Sequence, residues 1–324
     1  MADDIFHLGL FDLDGRATRV LVLDERLLDL DQAAGRAGHA MAPGGIVPLL
    51  EDWDRAFETL TAVAAHARAC GVEAHGRPLD AGRPLPPLGQ GGKQLCAAAN
   101  YRDHVAGMRK TFTPPLSDVE AAKPLPALRP YMFGRLNSPT GAHDDIALPA
   151  GIARTDWEAE LMVVIGRAGR NIPRARAADH IAGYMTFNDI SCRDLTWRDD
   201  RPTIRSDWLA GKSFDTFSPT GPWFTPAAFV PDHADVSIRL WVNGELKQDG
   251  NSRDMIFGIE EQLEYASRLM TLRPGDTVAT GTPAGTGQER LEFLKTGDLV
   301  ETEVQYCGRQ RNRVVAGPAG YVRG

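Results

Sequence analysis

The sequence of 324 residues predicts an α+β protein rich in β-strand, with a small N-terminal domain ahead of a larger one. Three observations carry that reading. Short apolar stretches alternate with polar residues and are separated by Asp-Gly, Asn-Gly and Gly-Asp turns. Convincing helical periodicity is confined to two stretches, so strands and helices do not alternate as βαβ units require. A run rich in Pro and Gly near residue 80 then divides the chain, placing a small domain at 1–75, a linker at 76–94 and the main domain at 95–324. No internal repeat of about 20 to 50 residues is visible.

The elements follow in order. Phe6, Leu8 and Leu10 alternate, Asp14-Gly15 turns the chain, and Val20 to Leu23 resumes a strand. A helix is expected over Glu51 to Ala69, where Trp53, Phe57, Leu60, Ala64 and Ala67 share a face and Gly71 supplies a stop. Pro78, Pro84, Pro86, Pro87, Gly89, Gly91 and Gly92 make the linker. A second interrupted stretch, Thr111 to Pro130, has Pro114, Pro115, Pro124 and Pro126 to break any helix. It reads either as a cover over a site or as a surface insertion.

From Tyr131 onward β signals dominate. Glu160 to Ile165 has the composition of a buried strand, and Val236, Ile238, Leu240 and Val242 alternate into the hairpin signal Asn243-Gly244. Gly275-Asp276 and Gly297-Asp298 each launch a strand, Thr277 to Thr280 and Leu299 to Tyr306. Between the hairpin and these turns Ile259, Leu263, Ala266 and Met270 mark the second helix, with Asp254 as its expected cap.

Composition narrows the function. With 36 Lys and Arg against 43 Asp and Glu the net charge is −7, and no basic block provides the concentrated field that nucleic acid or an anionic membrane needs. The longest apolar runs, such as Leu161 to Ile165, fall far short of the roughly 20 residues that span a bilayer. Met1-Ala2-Asp3-Asp4 has neither the basic nor the apolar region of a signal peptide. Cys70, Cys96, Cys192 and Cys307 lack metal or redox spacing, as expected in a reducing, cytoplasmic setting. The partner expected is a small molecule.

Familiar motifs fail. Ser206 stands where a phosphate loop ending in Gly211-Lys212-Ser213 needs its first glycine. Gly281, Gly285 and Gly287 lack dinucleotide spacing, and neither a G-x-S-x-G elbow nor H-E-x-x-H occurs. The stretch that carries chemistry is Asp156-Trp157-Glu158-Ala159-Glu160, leading into the strand. Glu158 and Glu160 are two apart and face one side of an extended chain. Alone they fit a solvated strand end as well as a site. Asp189, in the polar break after Ile181 to Phe187, adds a third carboxylate. Three hard oxygen ligands without His or Cys suit Mg²⁺, Mn²⁺ or Ca²⁺, and such an open site chelates a 2-oxo acid.

These blocks resemble the fumarylacetoacetate hydrolase family. The resemblance runs through Asn100-Tyr101-Arg102-Asp103-His104, Asp156 to Glu160, Asn188-Asp189-Ile190-Ser191-Cys192-Arg193-Asp194, and Gly211-Lys212-Ser213-Phe214-Asp215. It continues with Gly221-Pro222, Val242-Asn243-Gly244-Glu245, Pro274-Gly275-Asp276 and Thr280-Gly281-Thr282-Pro283, covering roughly residues 95 to 315. It implies a mixed β-sandwich or β-roll catalytic domain, assembled as a homodimer. It further implies Glu158, Glu160 and Asp189 as ligands of Mg²⁺ or Mn²⁺, Lys212 as the active-site lysine and His104 as the base that activates water. Tyr101, Arg102, Arg135 and Thr282 become substrate contacts, with Arg102, Arg109 and Arg135 the candidates for a distal carboxylate.

The chain also departs from the family. Where many acylpyruvate-cleaving members carry a glutamate three residues past the histidine, this chain has Gly107. The orienting acid must then come from elsewhere: Glu289 or Glu292, of which Glu292 is carried forward as the catalytic candidate, or Glu120. Thr196 stands where Gln is frequent, and Arg135 where Lys is frequent. The resemblance implies hydrolysis of a C–C bond in an acylpyruvate-type β-diketo acid. The alternatives are a lyase, decarboxylase, hydratase or isomerase working through the same enolate, or a metal- or ligand-binding protein without catalysis.

Overall fold

The computed structural model describes residues 5–111, 129–201 and 203–318. Most of the Pro-rich stretch expected as a cover or insertion, Glu120 included, lies outside the described residues. No described helix is long and apolar enough to cross a membrane.

The N-terminal sheet is an antiparallel meander of β1 (His7–Leu13), β2 (Arg16–Leu23) and β3 (Arg26–Asp29). Its first turn, Asp14-Gly15, has φ of 56° and 83°, the left-handed pair that a two-residue hairpin prefers. The Pro-rich run is more than a connector. It contributes β4 (Arg77–Pro78) and β5 (Arg83–Leu85), giving the order β4-β3-β2-β1-β5. Pro78 and Pro84 thus stand on edge strands, where proline is tolerated. Helix Trp53–Ala69 turns Leu60, Val63, Ala64 and Ala67 inward, against the core formed with Leu21, Leu23 and Leu28.

The central sheet is mixed. It comprises β6 (Gln94–Ala98), β7 (Tyr131–Arg135), β8 (Thr140–Gly141), β11 (Ala159–Ile165), β12 (Ile181–Asn188), β14 (Pro219–Thr220) and β18 (Thr277–Ala279), with β15 (Thr225–Pro226) paired to β12. Its order is β7-β6-β18-β11-β12-β14-β8. Every residue of β11 and β12 is buried. Leu161, Val163 and Ile165 join one core, while Met162 and Val164 join the core beneath the N-terminal helices. That is the alternation of a strand covered on both faces.

The third sheet covers the first of those faces. It contains β9 (Ile146–Leu148), β16 (Ser237–Val242), β17 (Glu245–Asn251), β19 (Leu299–Val304) and β20 (Gly308–Ala316), in the order β17-β16-β19-β20-β9. Asn243 and Gly244 turn β16 into β17 with φ of 53° and 80°. Helix Ile259–Leu269 buries Leu263 and Ala266 in the same core. Its cap differs from expectation: Gly258 is the cap residue, and Glu261 Oε2 accepts the Gly258 N–H at 2.9 Å. Asp254 instead lies in a preceding single turn, Ser252–Asp254. A short pair, β10 (Thr155–Asp156) with β13 (Ser191–Cys192), extends the β11–β12 pairing beyond the end of the central sheet. This register brings the two polar blocks of the sequence together.

Candidate active site

With Ala159 opposite Asn188 and Asp156 opposite Ser191, the backbone joins the two segments directly. Asp189 N–H donates to Glu158 O at 2.8 Å, and Asn188 Oδ1 accepts the Glu158 N–H at 3.0 Å. Glu158, Glu160 and Asp189 consequently converge, all buried, each offering an oxygen within 4.8 Å of the others. A second loop closes on them: Gly281 N–H donates to Glu160 Oε2 at 2.8 Å. Gly281 has φ of 96°, and a Cβ there would lie 2.8 Å from that of Asn100. Both facts require glycine.

Cations are threaded between the carboxylates. Lys212 ends the helix Trp208–Lys212, which Asp207 caps by accepting the Ala210 N–H at 3.0 Å. Its Nζ donates to Glu158 Oε2 and Asp189 Oδ2, both at 2.6 Å. Arg193 pairs with the other oxygen of Glu158 and donates from Nε to Asp156 Oδ2 at 2.8 Å. Arg135 pairs with Asp189 Oδ1 and donates to the Phe217 carbonyl at 2.9 Å.

The charges are unevenly satisfied. Burial opposes ionisation of Glu158, but the charges of Lys212 and Arg193 outweigh it and hold the carboxyl at about 2. Glu160 has no ion pair among the described residues, so burial and the nearby Glu158 charge push it up to about 8. Burial likewise pulls Lys212 below the ordinary lysine value and Arg135 to about 10. A buried carboxylate short of positive charge beside two others is the donor set of a hard divalent cation, and the residues present fit one.

His104 faces this centre from helix Arg102–Lys110. Its Nδ1 lies 2.5 Å from Glu289 Oε1. The Glu289 carboxylate also accepts the Gly285 N–H at 3.0 Å and the Thr286 hydroxyl at 3.1 Å. Its own turn, Gly287–Arg290, is tied to the segment that carries Glu158 and Glu160, because Asp156 accepts the N–H groups of Gly287 at 2.5 Å and Gln288 at 3.0 Å. The acid against His104 is therefore Glu289, and the choice of Glu292 is corrected. Glu292 is half-exposed and pairs with Lys247 Nζ at 2.6 Å.

The remaining expected residues divide. His104, Glu158, Glu160, Asp189, Lys212, Thr282 and Arg109 line one cleft of about 360 Å³, toward the lower end for small-molecule sites. Thr282 Oγ1 donates to Ala159 O and accepts from Gln248 Nε2, so it fixes the loop while facing the cleft. Tyr101 is fully buried in the core and Arg102 donates to the carbonyls of Asp254 and Met255; neither lines the cleft. Arg135 is committed to Asp189 from behind. Thr196 packs on Gly211, where a Cβ would lie 3.2 Å from Thr196 Cβ. Sequence reasoning missed the bracing role of Asp156 and missed Gln248, whose partners are distant in the chain, and the aromatic wall of Tyr131, Phe133 and Trp208.

The chain and its fold have known relatives. Residues 93–315 match the family model described as fumarylacetoacetate (FAA) hydrolase C-terminal. A protein of Burkholderia ambifaria, named only as a hydrolase, is 38% identical over 253 residues, covering 76% of this chain and 83% of the relative. The structure of maleylpyruvate hydrolase from Sphingobium sp. SYK-6, in complex with manganese(II) and pyruvate, superimposes with a TM-score of 0.70 at 25% identity, covering 96% of this chain and 100% of that one. The 2-hydroxyhepta-2,4-diene-1,7-dioate isomerase of Mycobacterium marinum does so with a TM-score of 0.65 at 27% identity, covering 96% and 98%.

Proposed function

The chain belongs to the fumarylacetoacetate hydrolase family, and from that premise we propose that it hydrolyses the C–C bond of an acylpyruvate-type β-diketo acid. The observation that carries the reading is the His104–Glu289 pair on the cleft that holds the three carboxylates. An oriented base serves a reaction in which water must lose a proton; decarboxylation through an enolate has no such need. The manganese and pyruvate bound by the Sphingobium hydrolase support an oxo-acid product at such a centre.

Glu158, Glu160 and Asp189 would hold Mg²⁺ or Mn²⁺, which when bound supplies Lewis-acid polarisation of the 2-oxo acid end. The protein's own groups do the rest. Glu289 fixes Nδ1 of His104 as the protonated nitrogen, leaving Nε2 to take a proton from water, and it stabilises the imidazolium that forms. Hydroxide adds to the distal carbonyl carbon. The tetrahedral adduct collapses, breaking the bond to the methylene carbon and leaving a carboxylic acid and an enolate. Lys212 places its ammonium against the enolate charge, and the proton held by His104 returns to the methylene carbon to give pyruvate.

The test is turnover of an acylpyruvate with added Mn²⁺ or Mg²⁺, with products separated by chromatography. The expected result is carboxylic acid and pyruvate in equal amounts, abolished by chelator and reduced by about 10²- to 10⁴-fold in kcat in His104→Ala. Release of CO₂, or an isomer without cleavage, would overturn the assignment.

A further inference from the structure

The cleft is polar at one end and apolar along the rest. Beyond Lys212 the wall is a ladder of rings: Lys212 Nζ lies 5.8 Å from the centre of the Phe133 ring, Phe133 stacks on Trp208 at 4.9 Å and 27°, and Trp208 meets Tyr131 at 5.8 Å. Val105 and Met108 line the cleft from the helix that carries His104. The rings come from two elements, β7 and the helix ending at Lys212, so folding the catalytic lysine into place also builds the wall.

The cations lining the cleft are each already engaged within the protein. Lys212 is bound to Glu158 and Asp189, Arg193 to Glu158 and Asp156, and Arg109 makes an interaction of its own. A carboxylate laid along the rings would lose its hydration without gaining a free cation among the described residues, whereas an aromatic group would gain offset stacking and apolar burial.

We propose that the substrate's acyl end is an aromatic or comparably bulky apolar group, seated on Phe133, Trp208 and Tyr131, and not a second carboxylate. Its cleavage rests on the hydrolase reading; its binding preference does not. In the balanced reaction one water is consumed. The hydroxyl ends on the aryl-bearing carbon as an aromatic acid, and the methylene gains a proton as the methyl of pyruvate.

Two arms separate the claims. In the first, calorimetry with Mn²⁺-loaded protein compares two 2-oxo acids that cannot be hydrolysed, 2-oxo-4-phenylbutanoate and 2-oxoglutarate, which share a head and differ in the tail. Tighter binding of the phenyl compound by tenfold or more is expected, with that ratio falling about tenfold in Trp208→Ala and partly in the milder Phe133→Leu. Equal or tighter binding of 2-oxoglutarate, lost in Arg109→Ala, would overturn the proposal. In the second arm, benzoylpyruvate and fumarylpyruvate are compared for kcat/KM, with the phenyl substrate expected to lead by tenfold or more. A lead for fumarylpyruvate would overturn the proposal. Turnover of neither, with the phenyl preference kept in binding, would sink the hydrolase reading alone.

Discussion

Gly107→Ala tests how the base is oriented. Gly107 lies in helix Arg102–Lys110 with ordinary helical backbone, so the chain itself accepts alanine. The obstacle is Glu289: a Cβ at 107 would sit 2.4 Å from its Oε2, 2.7 Å from its Cδ and 3.0 Å from its Cγ, where ordinary contact begins at 3.4 Å. The carboxylate must retreat by about 1 Å, carrying its 2.5 Å bond to His104 beyond 3 Å and disturbing its bonds to Gly285 and Thr286. A hydrogen bond to a charged group is worth about 1.5–3 kcal/mol, so its loss in the transition state lowers kcat by about 10- to 100-fold. Replacing a helical glycine returns about 1 kcal/mol, so stability should change by about 1 kcal/mol or less. Steady-state kinetics with saturating Mn²⁺ and acylpyruvate, beside a thermal melt, measures both. A kcat within twofold of the parent would refute the reasoning, as would a loss confined to KM. The counterpart is Gly107→Glu with Glu289→Ala, which moves the acid to a position one turn from His104 and should restore part of the rate.

Further outcomes follow from the charges. Asp156→Asn replaces an acceptor that takes N–H groups from Trp157, Arg193, Gly287 and Gln288 with a group that is itself half donor; about 2–3 kcal/mol of stability should be lost in urea melts, with kcat falling as the Glu289 turn loosens. Glu158→Gln leaves Lys212 and Arg193 short of a partner in a dry site; about 3 kcal/mol should be lost and the rise in Tm on adding Mn²⁺ should vanish, so a retained rise would count against the metal assignment. His7, stacked on Trp223 and hydrogen-bonded to Thr225 at 3.0 Å, is lowered by burial from 6.5 to about 4. The unfolded chain therefore takes up the proton first, and stability should fall as pH drops through that window, by about 3 kcal/mol at about 1.4 kcal/mol per pH unit, then level off below 4. Urea melts at several pH values should show this slope reduced in His7→Gln; an unchanged slope would remove His7 as its source.

What the sequence reveals depends on how far apart the interacting residues are. The hairpins at Asp14-Gly15 and Asn243-Gly244 and the helix ending at Ala69 rest on chemistry within a few residues, and they were legible. Strand pairs were not: β4 and β5 join the N-terminal sheet through residues 50 to 75 positions away, so the Pro-rich run resembles a linker until its partners are known. The three carboxylates were legible because their spacing and flanking strands form blocks. The aromatic wall was invisible because Phe133 and Trp208 belong to unconnected elements that meet only in the fold.

Glu289 and Glu292 show the same limit within one short stretch. Three positions apart, they would share a face if the helix continued, and then nothing local would separate them. The turn Gly287–Arg290 ends because Leu291 adopts φ of 57°, a left-handed conformation that costs a non-glycine residue about 1 kcal/mol or more. The reversal sends Glu292 outward to Lys247, while Glu289 stays under Gly107 and against His104. The missing side chain at 107 and the acid at 289 are thus one adaptation: an acid arriving from outside the helix needs the space that an acid on the helix would fill. Read singly, Gly107 signals a lost base. Read with Glu289, it signals a base oriented from a different part of the chain, which is why water activation remains the reaction the site supports best.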